Sequence, residues 1–138
     1  MLLRPRVLII DDRLTSRRLA MMLSQRIGLD PTAVSTQMEA LRELESGKWF
    51  SVVLIDLDIP HDPEALECLK SLLRHRKQRG INLPIIAVTA YASQTDRAMC
   101  LNEGADDYLS KPYTMAQFSD KVLSWVAEFR IDQNRNVG

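Results

Sequence analysis

This chain has little with which to brace itself covalently. Its 138 residues include only two cysteines, Cys68 and Cys100, both in helix-like stretches and neither in a CxxC or Cys/His spacing. That excludes a disulfide framework and a zinc site, and both side chains read as buried, reduced thiols. An excess of charge of one sign is also missing, since 18 Lys and Arg balance 18 Asp and Glu. No bulk field therefore favours nucleic acid or a membrane surface as a partner. No apolar run approaches the ~20 residues of a bilayer span, and the N-terminus lacks a signal peptide's apolar stretch, so a cytosolic protein is expected. Repeats, low-complexity tracts and linkers are absent as well. A single domain over residues 1–138 is expected, with its core at about 6–130 and a short polar tail after it. With 46% apolar residues the chain can bury a core without staples. Function has to come from a local constellation.

That constellation lies where apolar runs stop. Arg6-Val7-Leu8-Ile9-Ile10 ends in Asp11-Asp12, Ser51-Val52-Val53-Leu54-Ile55 ends in Asp56, Pro84-Ile85-Ile86-Ala87-Val88 ends in Thr89, and Asp107-Tyr108-Leu109-Ser110 ends in Lys111-Pro112. Short β-branched runs bounded by turn signals read as buried strands. Open α/β sheets bind their ligands at the carboxyl edge of such strands. If the strands are parallel, all of these groups meet at one edge of one sheet.

Helical patterns fill the gaps. Leu14, Leu19, Met22, Leu23 and Ile27 approximate a 3.6-residue stripe that Gly28 stops. A short second strand over 31–35 precedes a helix over 37–46, with Met38, Leu41 and Leu44 on one face and Gly47 as terminator. Pro60-His61-Asp62-Pro63 reads as a loop, because two prolines bracket it. A third helix over 64–78 turns Leu66, Leu69, Leu72 and Leu73 inward, and its last turns carry Arg74-His75-Arg76-Lys77, where cations suit the helix dipole. Gly80 ends it. A shorter and weakly anchored helix over 93–103 closes at Gly104, and the last helix over 114–130 packs Phe118, Val122, Trp125, Val126 and Phe129. Five strands alternating with five helices, joined by crossovers long enough to be helical, imply an α/β fold with a parallel sheet covered on both faces.

Asp11, Asp12 and Asp56 together form a hard-oxygen cluster suited to Mg²⁺ rather than zinc. Such an ion relieves their mutual repulsion and lets a phosphoryl group approach a carboxylate. Lys111 offers a compact charge to a phosphate oxygen and the Thr89 hydroxyl a hydrogen bond to another. The set describes an aspartyl-phosphate site. Each member also has a bland reading. Asp11-Asp12 would serve as a helix N-cap, Lys111 as a surface lysine, and Tyr108 as an edge aromatic with its hydroxyl in water. His61, in a loop, and His75, in the basic run of the third helix, read as solvated.

With these residues in place, the stretch from Arg6 to about Phe129 resembles a response-regulator receiver domain. Val7-Leu8-Ile9-Ile10-Asp11-Asp12 followed by Ser16-Arg17-Arg18 is similar to the opening of chemotaxis-type receivers. The resemblance implies a flavodoxin-like, doubly wound (βα)5 fold with strand order 2-1-3-4-5. It implies that Asp56 accepts a phosphoryl group from a histidine kinase or histidine phosphotransfer protein, with Asp12 and Asp56 binding Mg²⁺ directly. Asp11 would act mainly through metal-bound water, and the Asp58 backbone carbonyl would be a further ligand. Thr89 and Lys111 match the family's hydroxyl and lysine, and Tyr108 its aromatic switch residue. Phosphorylation would draw Thr89 inward and let Tyr108 follow, altering a protein-binding face made by the fourth helix, fifth strand and last helix. The chain would catalyse its own phosphorylation and dephosphorylation without a separate turnover substrate.

Three departures stand out. Where receivers commonly follow the acceptor loop with Met-Asp-Gly, Pro60 here leads into His61-Asp62-Pro63-Glu64 with no glycine. The segment from Asp56 to Thr89 is long, with the surplus within 74–82. Asp58 and Tyr91, each two residues beyond a site residue, would tune the phosphoryl lifetime. Two rival readings share the same residues. One is a receiver-like interaction module that works without phosphorylation. The other is a haloacid-dehalogenase-type phosphohydrolase using Asp56-Leu57-Asp58 as its DxD motif, which fits poorly because Asp11-Asp12 precede that motif and little follows Lys111.

Overall fold

The apolar runs become strands and the amphipathic stretches helices, in strict alternation, in a computed structural model describing residues 4–57, 62–90 and 93–137, with side chains as far as 126. Among the described residues the order is β1 (Arg6–Ile10), α1 (Leu14–Arg26), β2 (Asp30–Val34), α2 (Gln37–Glu45), β3 (Val52–Asp56), α3 (Pro63–Arg79), β4 (Ile85–Thr89), α4 (Gln94–Asn102), β5 (Asp107–Ser110) and α5 (Met115–Val137). The strands are all parallel in the order β2-β1-β3-β4-β5. This is the doubly wound architecture expected. Strand order reverses at β1, so the carboxyl ends of β1 and β3 flank the crevice where such sheets bind ligands.

Each face of the sheet carries its own core. Val7, Ile9, Val52, Leu54, Ile86, Val88 and Leu109 pack under α1 and α5, against Ala20, Leu23, Phe118, Val122 and Val126. The alternate residues Leu8, Ile10, Val53, Ile55, Ile85 and Ala87 pack under α2, α3 and α4, against Ala40, Cys68, Leu69, Leu72 and Cys100. Both thiols are free and buried, as expected. No described helix is long and apolar enough to cross a membrane.

Local chemistry explains most helix starts. The Thr36 hydroxyl accepts from Glu39 N at 3.2 Å while the Glu39 carboxylate takes the Thr36 hydroxyl at 3.0 Å, a reciprocal N-terminal cap. Before α5 the Thr114 hydroxyl accepts from Gln117 N at 3.1 Å while the Gln117 side-chain oxygen accepts from Thr114 N at 2.9 Å. Asp62 caps α3 by accepting from Ala65 N at 3.1 Å. Pro63 is therefore helical rather than part of the loop, since a first-turn proline loses an N–H that had no partner anyway. β2 begins and ends one residue before the expected 31–35, because its register pairs Arg6 with Asp30 and Ile10 with Val34, leaving Ser35 and Thr36 to the α2 cap.

Three expectations are corrected. In α1 the residues facing the sheet are Ala20, Leu23 and Ser24, while Leu14, Leu19 and Met22 are exposed. His75 is buried rather than solvated, since it follows Cys68, Leu69 and Leu72 on the inward stripe of α3. The backbone of α5 continues to Val137 instead of giving way to a tail after 130, as no proline or glycine interrupts the sequence before Gly138.

Gly104 shows what a terminator is needed for. Its φ is +114°, and a Cβ there would lie 2.5 Å from Leu73 Cδ1 of α3. Gly104→Ala is expected to destabilise the fold by about 1–3 kcal/mol, read as a lower urea midpoint with unchanged slope.

Candidate functional site

The expected meeting of strand ends occurs. The Lys111 Nζ, just past β5, donates to Asp56 Oδ1 at 3.0 Å and to Asp11 Oδ2 at 3.1 Å, with Ser16 Oγ at 3.4 Å. Carboxylate oxygens of Asp11, Asp12 and Asp56 lie within 4.8 Å of one another. At that separation each like-charge pair repels by roughly 3–4 kcal/mol at an effective dielectric constant of about 20. Three carboxylates against one ammonium leave an excess of two negative charges. That excess, and the all-oxygen donor set, fit a divalent hard cation.

Asp11 is not free to swing away from this cluster. Its Oδ1 accepts from Arg13 N at 2.9 Å, and its carbonyl accepts from the Arg17 guanidinium at 2.9 Å. α1 itself starts at an Arg13 cap that makes no side-chain bond. Neither aspartate is therefore spent as the N-cap of α1, which disposes of the bland reading. Asp11 is 7% exposed, whereas Asp12 is an exposed residue at the mouth. A cavity of about 280 Å³ opens beside them, lined by Asp11, Asp12, Asp56, Thr36, Gln37 and Cys68.

Burial disfavours the Lys111 ammonium, but the Asp56 and Asp11 carboxylates outweigh it and hold its pKa above the ordinary 10.5. The lysine is thus a permanent cation. Burial pushes the Cys68 thiol up to about 11. That cavity wall carries no thiolate near neutral pH, so the nucleophile on offer is a carboxylate. Burial likewise raises the Tyr113 phenol, with Lys111 opposing and Asp11 and Asp56 reinforcing.

Thr89 is 1% exposed and ends β4, in register with Ser110, and its carbonyl accepts from Lys111 N at 2.8 Å. Tyr108 pairs in register with Ala87 instead. Its ring lies 5.0 Å from the Arg97 guanidinium of α4 and 5.2 Å from the Lys121 ammonium of α5. The phenol edge of β5 is therefore in contact with both helices of the expected output face. Beneath it Asp107 accepts from Tyr108 N at 2.8 Å, Trp125 Nε1 at 2.8 Å and Lys121 Nζ at 3.0 Å.

Burial works to raise the Asp107 pKa, but those donors prevail and hold it below the ordinary 3.8. A carboxylate depressed on folding contributes stability above its unfolded pKa and loses it as pH falls through the folded value. The stability gap between wild type and Asp107→Asn is expected to shrink on acidification below 3.8. Urea titrations across that range read it directly, and a gap independent of pH would contradict it.

Ser16, Arg17 and Tyr113 join the site without a role having been read for them from the sequence. Ser16 and Arg17 lie in the first turn of α1, and their signal in the sequence was the Ser16-Arg17-Arg18 stretch that follows Asp11-Asp12 in the receiver-like opening. Tyr113 follows Lys111-Pro112 and stacks at 5.3 Å on Phe118. Asp58, Tyr91 and His61 lie outside the described residues.

The sequence profile of the response regulator receiver domain matches residues 7–123. The sensor protein GacS of Pseudomonas syringae pv. syringae is 32% identical over 123 residues, covering 88% of this chain and 13% of that protein. The transcriptional regulatory protein BasR of Escherichia coli is 30% identical over 117 residues, covering 85% of this chain and 50% of that protein. The chain thus spans half or less of the length of these two relatives. Among solved structures, a CheY-like response regulator receiver domain protein from Methanospirillum hungatei superposes with a TM-score of 0.75 at 26% identity, covering 94% of this chain and 99% of that one.

Proposed function

We infer, since the chain belongs to the response regulator receiver domain family, that Asp56 is its phosphoacceptor and that a phosphohistidine is its donor. The observation that carries this reading is the lysine ammonium bonded at once to Asp11 and Asp56, within a cluster of three carboxylates. The Asp12 and Asp56 carboxylates would hold Mg²⁺ directly, Asp11 through water, and the Asp58 carbonyl would add a ligand. When bound, the ion supplies charge neutralisation for the three carboxylates and the incoming phosphoryl oxygens.

The protein's own groups do the rest. An Asp56 carboxylate oxygen forms a bond to phosphorus as the phosphorus–nitrogen bond of the donor imidazole breaks, and the imidazole nitrogen takes a proton from solvent. Lys111 transfers one of its hydrogen bonds from Asp56 to a phosphoryl oxygen, and the Thr89 hydroxyl donates to another. These contacts strengthen as charge develops on the transferring group. The product carries up to about two negative charges where one stood. Asp58 and Tyr91, each two positions beyond a site residue in the sequence, would set how long the phosphoryl group persists.

The switch then passes through Thr89 to Tyr108, and by way of Arg97 and Lys121 to the α4–β5–α5 face, where a downstream protein docks. A histidine kinase or histidine phosphotransfer protein donates, in the cytoplasm, and the cycle has no separate turnover substrate. The described core, with residues 1–138 as one domain, is the phosphorylated unit.

Incubation with radiolabelled acetyl phosphate tests the chemistry. Label is expected to accumulate to at most one phosphoryl group per chain with Mg²⁺ present and to fall to background with EDTA. Labelling insensitive to EDTA contradicts the metal assignment, and sustained turnover of a phosphate monoester would point to the hydrolase reading instead.

A further inference from the structure

The start of α1 reaches the carboxylate cluster through three groups. Arg13 N donates to Asp11 Oδ1 at 2.9 Å, the Arg17 guanidinium donates to the Asp11 carbonyl at 2.9 Å, and Lys111 Nζ donates to Ser16 Oγ at 3.4 Å. The first two fix the aspartate. The third touches the ammonium that phosphoryl transfer depends on.

Packing alone would make residue 16 small. It is half-buried and opens the inward stripe of α1 that continues one turn on through Ala20 and then Leu23 and Ser24. Ser24, on the same stripe, shows what a helical serine with only a packing role does, since its hydroxyl donates to the Ala20 carbonyl four residues back at 2.7 Å. Ser16 differs from it. Its described hydrogen bond runs instead to a cation 95 positions away.

An ammonium has three protons to place. Lys111 directs them to Asp56 Oδ1 at 3.0 Å, Asp11 Oδ2 at 3.1 Å and Ser16 Oγ at 3.4 Å, with its side chain only 19% exposed to water. Transfer of a phosphoryl group to Asp56 moves the first of these bonds onto a phosphoryl oxygen. Asp11 alone would leave the ammonium free to swing about a single bond at that moment, whereas Asp11 and Ser16 together hold it at two points. The serine is neutral, so it anchors the ammonium without competing with the phosphoryl oxygens for its charge, as a further carboxylate would. At 3.4 Å its contact is the longest of the three, with room to shorten once Asp56 is released.

We propose that Ser16 is a positioning residue for phosphoryl transfer, holding Lys111 Nζ in place while its bond passes from Asp56 to the phosphoryl group. The proposal rests on the reading of Asp56 as phosphoacceptor. Ser16 acts through the lysine and not on the metal, which the three carboxylates hold.

Rates of labelling by radiolabelled acetyl phosphate, measured against Mg²⁺ concentration, test the proposal. Ser16→Ala is expected to label about tenfold more slowly at saturating Mg²⁺, the lower end for one hydrogen bond to a charged group because the contact is long. Its Mg²⁺ half-saturation should match that of wild type, since Asp11, Asp12 and Asp56 are intact. Ser16→Thr keeps the hydroxyl and should recover most of the rate. In a Lys111→Met chain, adding Ser16→Ala should bring no further loss, the non-additivity of a group that works through its partner. A wild-type rate in Ser16→Ala, a slowing removed by more Mg²⁺, a Ser16→Thr chain as slow as Ser16→Ala, or the same tenfold loss in the Lys111→Met chain would overturn the role of Ser16. Failure of wild type itself to label would overturn the Asp56 reading instead.

Discussion

Asp56→Ala is expected to reduce acetyl phosphate labelling to background while leaving the protein folded. The variant removes the nucleophilic oxygen, and neither remaining carboxylate replaces it. Asp11 is tied to Arg13 N and Lys111, and Asp12 stands at the exposed mouth. The fold tolerates the change because Asp56 sits at the very end of β3, beyond the core residues Val52 to Ile55. A second readout separates loss of chemistry from loss of metal. Mg²⁺ at about a hundredfold its dissociation constant should stabilise wild type by about 2.7 kcal/mol, whereas Asp56→Ala should lose most of that increment. Labelling of the variant at the wild-type level would refute the acceptor assignment.

Lys111→Met is expected to separate stability from chemistry in the opposite way. The ammonium pairs with both Asp11 and Asp56, and its side chain is 19% exposed against 8% and 11% for theirs. Removing it leaves those carboxylates facing one another, at a cost of about 2–3 kcal/mol in metal-free buffer, toward the lower end for a broken buried pair because the site is open to solvent at Asp12. Mg²⁺ should recover more stability in the variant than in wild type, since the ion takes over the neutralisation. Phosphoryl transfer should still fall by about 10²–10³, the scale for losing one preorganised donor to developing charge. The lysine contribution has its own pH signature. A cation whose pKa rises on folding stabilises fully below its unfolded value and loses that contribution as pH climbs through the folded one. The wild-type advantage over Lys111→Met should therefore persist through neutral pH and vanish only above 10.5.

Much of this site was legible because its parts are punctuation. Asp11-Asp12, Asp56, Thr89 and Lys111 each interrupt an apolar run, and a parallel sheet has no way to keep such interruptions apart. What periodicity could not reveal was which apolar residues a helix would bury. α1 lies so close to β1 and β2 that small residues face the sheet. Ala20 and Ser24 take those places, with the Ser24 hydroxyl returned to the Ala20 carbonyl at 2.7 Å, while Leu19 and Met22 face outward. His75 was misread because its basic neighbours advertise solvent, although its place one turn after Leu72 and Ser71 turns it inward.

Contacts across long sequence separations were equally hidden. Arg76 reads as a dipole-complementing cation near the end of α3, yet it reaches Asp106 at 2.7 Å and the Leu83 carbonyl at 3.1 Å, tying α3 to the starts of β4 and β5. Asp106 accepts in addition from Ile85 N at 2.8 Å. Ser16 meets Lys111 across 95 positions, a proximity that only the closed sheet creates. The acceptor-loop departure at Pro60 and His61 lies outside the described residues, and with it the tuning role of Asp58.

Reductive trapping bears most directly on the central claim. The chain is phosphorylated by its donor or by acetyl phosphate in Mg²⁺, reduced with borohydride, which converts an acyl phosphate to an alcohol, and sequenced by mass spectrometry. Homoserine at position 56 alone is the predicted result. Homoserine at another aspartate, or phosphate retained on a histidine with position 56 intact, would contradict it.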